Sequence, residues 1–188
     1  MRNKSPQHWL AALFILAGVS AGVGRAAEIA ELKVEPHEGQ FRVAFHLDGA
    51  FTPDVEELLG SGLPVTFQHT LRAYRRRATW LDRLVSGRTV TTTANFDTLT
   101  KQYRLSRAVD QQMADTLLTD KPEEMKAWMT TIEGVDLPAE AGSEAHDRYY
   151  VRVKSEIQKR FVFFFIPWDF ETAWTRSALI DRNGTLQP

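Results

Sequence analysis

QFRVAFHLD, residues 40–48, decides the fold class: Phe41, Val43, Phe45 and Leu47 alternate without a miss against Arg42, Ala44, His46 and Asp48. Period two over nine residues marks a strand with one face in a core and the other towards water. IAELKVEP precedes it, and HEGQ supplies a turn between the two, so the pair is predicted to be a hairpin.

Downstream, GAFTPDVEELLGSG carries Thr52 as N-cap, Pro53 at the first helical position and acid in the first turn, with Gly60 as the stop. This predicts a helix of two turns over one end of the sheet. LPVTFQHTLRAYRRR returns to alternation, with Leu63, Val65, Phe67, His69, Leu71 and Ala73 inward and Thr66, Gln68, Thr70, Arg72 and Tyr74 outward. The stretch 79–85 is expected to continue around a bend, with Gly87 as its break. RTVTTTANFD and KQYRLSR add two strands. The pattern of QMADTLLT fits either a strand or an irregular connection.

DKPEEMKAWMTTI is the clearest helix. Asp120 is the expected N-cap, Pro122 lies in the first turn, and Glu123 is the capping-box partner. Met125, Trp128, Met129 and Ile132 form one apolar stripe. EGVDLPAEAGSEA has the composition of a loop, and RYYVRVKSEIQKR that of a long strand. FVFFFIPWDFETAW, residues 161–174, follows. Its six-residue apolar run ends at Pro167, too short to span a bilayer and suited to a strand buried on both faces. Were it uncovered, Trp168 and Trp174 would mark a partner or ligand surface. The predicted fold is α+β: a twisted, mainly antiparallel sheet of six or seven strands, curled towards a sandwich, with one amphipathic and one short helix.

The N-terminus sets the expected location. Arg2 and Lys4 precede an apolar run over residues 10–23, and Gly24 and Ala26 supply small residues for cleavage after Ala26. Together these describe a Sec-type secretory signal peptide over 1–26, leaving one domain over 27–180 and a polar tail over 181–188. Losing Arg2, Lys4 and Arg25 turns 23 basic against 24 acidic residues into 20 against 24, a balance that offers nothing general to nucleic acid. The chain has no cysteine, hence no disulfide, thiolate metal site or lipoprotein anchor. The expected location is periplasmic.

No motif carries catalysis. The histidines (His8, His37, His46, His69, His146) have no metal-ligand spacing, and no nucleophile elbow or phosphate loop occurs. No cofactor or metal is expected. The strongest charge feature is RAYRRR, in which alternation puts Arg72, Tyr74 and Arg76 on one face and Arg75 and Arg77 on the other. Guanidinium groups there suit carboxylate or phosphate.

The order of these features resembles a bacterial family, the domain of unknown function 4390. The likeness is carried by GLPVTF, the basic residues before TWLD, FDTLTKQYRLSR, and the late YVRV. It spans nearly all of residues 27–180. The resemblance implies an exported proteobacterial protein, linked in some relatives with membrane signalling, and brings no catalytic residues. The expected function is a non-enzymatic periplasmic binding or interaction domain engaging an envelope protein, with Arg72, Tyr74, Arg76, Trp168 and Trp174 as candidate site residues. The alternatives are a carrier of a lipid or hydrophobic ligand between sheet and helix, and a hydrolase using Asp, His or Glu from separate strands.

Overall fold

Glu28–His37 (β1) and Gln40–Asp48 (β2) form the expected hairpin, turning through Glu38 and Gly39 at φ 49° and 75°. A two-residue turn with both central φ positive matches the twist of the flanking strands. The computed structural model describes residues 26–139, 147–157 and 171–181, with the backbone of 186–187. Residues 1–25 and 158–170 lie outside the described residues. The predicted signal, Trp168 and most of the aromatic stretch therefore lie outside them too, as does His146.

Pro53–Gly60 (α1) starts on Thr52, whose hydroxyl accepts from the Val55 N–H, and buries Val55 and Leu59. Then come Val65–Arg75 (β3), Arg83–Asp97 (β4), Gln102–Val109 (β5), Gln112–Thr119 (β6), Pro122–Thr130 (α2), Thr131–Pro138 (β7) and Tyr149–Ile157 (β8). Three two-residue strands close the chain: Thr175–Arg176 (β9), Leu179–Ile180 (β10) and Leu186–Gln187 (β11). All pairings are antiparallel. One sheet runs β1-β2-β7 and the other β11-β10-β8-β3-β4-β5-β6, with β9 also paired to β8. The fold is α+β: two antiparallel sheets and two helices, without closure into a barrel.

The two inner faces meet in a single core. Phe41 and Tyr149 approach with ring centroids 5.1 Å apart, and the Phe45 ring meets His69 edge-on at 5.3 Å. Phe41, Val43, Phe45 and Leu47 are all buried, as the alternation of β2 predicts. So are Val65, Phe67, His69, Leu71 and Ala73 of β3, whereas Leu63, expected inward, precedes the strand and is exposed. Each large apolar side chain buried this way contributes about 1.5–3 kcal/mol. Met125 and Met129 pack α2 over β4 and β5.

Three local expectations are corrected. EGVDLP is not loop but most of β7, and Ile132 belongs to that strand rather than to the helix. Its alternation is hidden by a bulge: Ile132 pairs with Phe45 and Val135 with Val43, so two residues, including Gly134 at φ 69°, oppose one. Gly87 does not break the chain; it sits inside β4, where an added Cβ would lie 3.3 Å from the Leu71 carbonyl oxygen. Such a glycine marks close backbone approach. Finally, the N-cap of α2 is Lys121, not Asp120. Pro122 forces the residue before it into extended backbone, and the Thr119 hydroxyl serves the helix start instead, accepting from Lys121 N–H at 3.1 Å and donating to Glu124.

QMADTLLT, which the pattern left open, is β6, an edge strand exposed on both faces for most of its length.

Candidate interaction surface

Register, more than any motif, assembles the most distinctive surface of the molecule. Across β3 and β8, Arg72 is paired with Arg152, and across β8 and β9, Arg152 is paired with Arg176. Three arginines therefore form one cross-strand row on the outer face of the larger sheet, spanning roughly 10 Å at the usual strand spacing. Among the described residues, none of the three has a salt bridge to an acid. Like charges directly opposite in a sheet each cost roughly 0.2–1 kcal/mol.

Aromatic rings stand where counter-charges would be expected. The guanidinium carbons of Arg72 and Arg152 each lie 5.2 Å from the Trp174 ring centroid, and the Lys154 ammonium lies 6.0 Å from it. Arg176 sits 3.7 Å over the Tyr150 ring, which stacks on Tyr74 at 5.3 Å and 13° between planes. Each such contact offsets about 0.5–1 kcal/mol of repulsion without neutralising any charge. Flanking pairs are satisfied: Lys154 with Glu171, and Gln68 donating to Glu156 at 3.0 Å. The face thus presents three aromatic-backed arginines, Arg72 and Arg176 exposed and Arg152 half-buried, to an anion.

The predicted site residues separate accordingly. Arg72, Tyr74 and Trp174 come together on this face. Arg76 does not join them: it lies one residue past β3, exposed, with its N–H donating to the Arg148 carbonyl at 2.8 Å. Trp168 is outside the described residues. Arg75, on the other face of its strand, pairs with Asp147 at 3.3 Å. Arg152, Lys154, Tyr150 and Arg176 escaped the sequence reading. Alternation in RYYVRVKSE would have placed the first three on one face, but only the pairing register puts that face beside Arg72.

Chemistry inside the core is of another kind. His69 and Ser155, paired across β3 and β8, are both fully buried, with His69 Nδ1 2.7 Å from Ser155 Oγ. The Ser155 N–H donates to the Thr172 hydroxyl. Burial, and secondarily the positive charge of Arg107, push the His69 pKa down to about 3, so the imidazole is neutral. A nucleophile sealed from water meets no substrate, and the pair reads as a packed polar contact. His46 is half-buried on the smaller sheet, 3.2 Å from Thr131 Oγ1 and 3.3 Å from Asp48. The two histidines thus lie on different sheets.

The residues that carry the family likeness act as fold-makers. Asp97 accepts from Leu99 and Thr100 N–H at 2.9 and 3.0 Å, bonds that lower its pKa and shape the β4–β5 turn. Arg107 stacks 4.3 Å over Trp128 and donates to the carbonyls of Trp128 and Thr131, stapling the C-terminus of α2 to β5. Asp82 accepts from Arg77 N–H at 3.1 Å and from the Tyr150 hydroxyl at 2.7 Å. Two shallow clefts, of about 440 and 510 Å³, lie against β5 and β6. The cations of the larger are committed, Arg107 to those carbonyls and Arg88 to Asp110 at 2.5 Å.

Among the described residues, no helix is long and apolar enough to cross a membrane. The family model described as "Domain of unknown function (DUF4390)" matches residues 24–178. No curated protein and no solved structure matches the chain.

Proposed function

The chain belongs to that family, DUF4390, and from this premise we propose that it is an exported, periplasmic, non-enzymatic interaction domain whose outer arginine row engages an acidic segment of an envelope protein. One observation carries the proposal: Arg72, Arg152 and Arg176 stand in register with one another, and among the described residues none of them forms a salt bridge. Selection for stability alone favours an acid or a neutral residue in such a row. A partner carboxylate supplies the missing charge by bidentate hydrogen bonds, and the rings of Trp174 and Tyr150 hold the guanidinium planes ready for it. Aromatic and arginine side chains in this mixture dominate the energetics of protein interfaces. The apolar run at residues 10–23 supports export.

A lipid between sheet and helix is the weaker alternative, because Met125 and Met129 already fill that space. The hydrolase alternative has the sealed His69–Ser155 pair against it.

A photo-crosslinking amino acid at Tyr74, in cells, tests the proposal. The expected result is one protein adduct in the periplasmic fraction, on a chain whose N-terminus begins at Ala27. The adduct should disappear in an Arg72→Glu, Arg152→Glu double variant that retains its melting temperature. No adduct, or one indifferent to the charge reversal, refutes the arginine row as the docking surface.

A further inference from the structure

The loop of residues 76–82, between β3 and β4, points its apolar side chains outward. Trp80 is 76% and Leu81 83% exposed, and Leu84 is exposed just beyond them. A surface tryptophan beside a surface leucine is unusual, since single exposed apolar residues are common but contiguous ones mark a contact. Slackness does not explain it. Asp82 is anchored by the Arg77 N–H and by the Tyr150 hydroxyl, and the Arg76 N–H donates to the Arg148 carbonyl, so the loop is tied at one end to β8 and at the other to the residue just before it.

The surroundings identify the partner. Arg76, Arg77 and Arg148 are all exposed around the apolar apex. Asp82, the one acid within the loop, is occupied by the two hydrogen bonds above, and its pKa is lowered by them and by the nearby positive charges of Arg176 and Arg76. An exposed apolar tip inside a basic collar has the amphipathy of a bilayer surface with anionic headgroups: tryptophan settles at the headgroup level, leucine reaches the acyl boundary, and arginine meets phosphate. A protein receptor for the same tip would need a concave pocket with an acidic rim. The other strongly exposed leucine on a turn, Leu99, lies on the β4–β5 turn. It sits at the far end of a fifteen-residue strand, ~45 Å away at the usual rise per residue.

We propose that residues 76–84 are a membrane-docking tip that inserts Trp80 and Leu81 into the surface of an anionic phospholipid bilayer while the surrounding arginines bind its phosphates. The contact is peripheral and reversible, since one short apolar turn buries too little to anchor a protein permanently. It adjoins the arginine row, because the Tyr150 ring beneath Arg176 donates its hydroxyl to Asp82 of the loop, and it uses other side chains, so that the domain is held beside the envelope with Arg72, Arg152 and Arg176 left for a partner.

Flotation of the full chain with vesicles tests this, using phosphatidylethanolamine with one-quarter phosphatidylglycerol against vesicles of phosphatidylcholine alone. Binding is expected to the anionic vesicles, to fall with added salt, and to drop at least tenfold in a Trp80→Ser, Leu81→Ser double variant. Both side chains are solvent-exposed, so that variant keeps the wild-type melting temperature and Tyr74 crosslinking; Leu99→Ser serves as the control and binds as wild type does. Equal binding by the tip variant, equal binding to phosphatidylcholine, or a matching loss in Leu99→Ser each overturns the proposal. So does sedimentation showing that the tip instead joins two copies of the chain without binding vesicles.

Discussion

The inner and outer faces of β3 and β8 are built from neighbouring residues of the same strands, yet they follow opposite rules. Inward, Phe67, His69, Leu71, Val151, Val153 and Ser155 are fully buried, and even the two polar members are paired with each other. Outward, Arg72 and Arg152 confront one another across the same ladder, and only aromatic rings soften the repulsion. The inner face is selected for close apolar packing and pairs most of its polar groups, because an unpaired polar atom away from water costs roughly 1–3 kcal/mol; His69 Nε2 and the Tyr149 hydroxyl are the buried atoms left without a partner there. The outer face tolerates an unresolved charge row because water screens it. A surface that forgoes available stability is the better place to look for function than the core beneath it.

Three measurements test this contrast. The largest effect is expected from Phe67→Ala, which opens a cavity beneath the Phe51 ring and should lower unfolding free energy by about 3–5 kcal/mol in a urea titration. A stable variant would mean that the two sheets pack loosely. Next is acid. The unfolded chain protonates His69 near its ordinary pKa of 6.5, while the folded chain holds it to about 3, so the unfolded state binds the extra proton between those values. Stability is complete above pH 6.5 and falls as pH drops towards 3, with a loss of about 3 kcal/mol by pH 4 from this group. His69→Leu should flatten that slope; an unchanged slope would place its origin elsewhere. The smallest effect belongs to the outer face. Arg72→Ala with Arg152→Ala should change stability by no more than ~0.5 kcal/mol, or raise it slightly, while abolishing the Tyr74 adduct. A large loss of stability would make the row a structural element.

Much of the fold was legible. The alternation of 40–48 and 65–73 gave the buried faces of β2 and β3, His69 included, and HEGQ gave the first hairpin. β7 is hidden in the sequence because the bulge at Gly134 shifts its period by one residue, so Ile132 falls at a spacing that continues the stripe of the preceding helix. Gly87 misled for a related reason: a strand glycine that admits the Leu71 carbonyl looks, in one dimension, like a turn. In the candidate surface, Arg72, Tyr74 and Trp174 are legible in the sequence, but alternation also selects Arg76, because nothing in RAYRRR marks that β3 ends at Arg75.

Which side chains face inward is a property of the chain itself, because successive residues of any strand point to opposite sides and hydrophobic ones must share a side to be buried. The row of Arg72, Arg152 and Arg176 has no such local origin. It joins positions 80 and 24 residues apart along the chain, brought level by two independent strand pairings. Those registers are set by how the whole core packs, and a shift of two residues in either would preserve every inward face while dispersing the charge. Periodicity therefore wrote the core into the sequence, and long-range pairing alone assembled the surface.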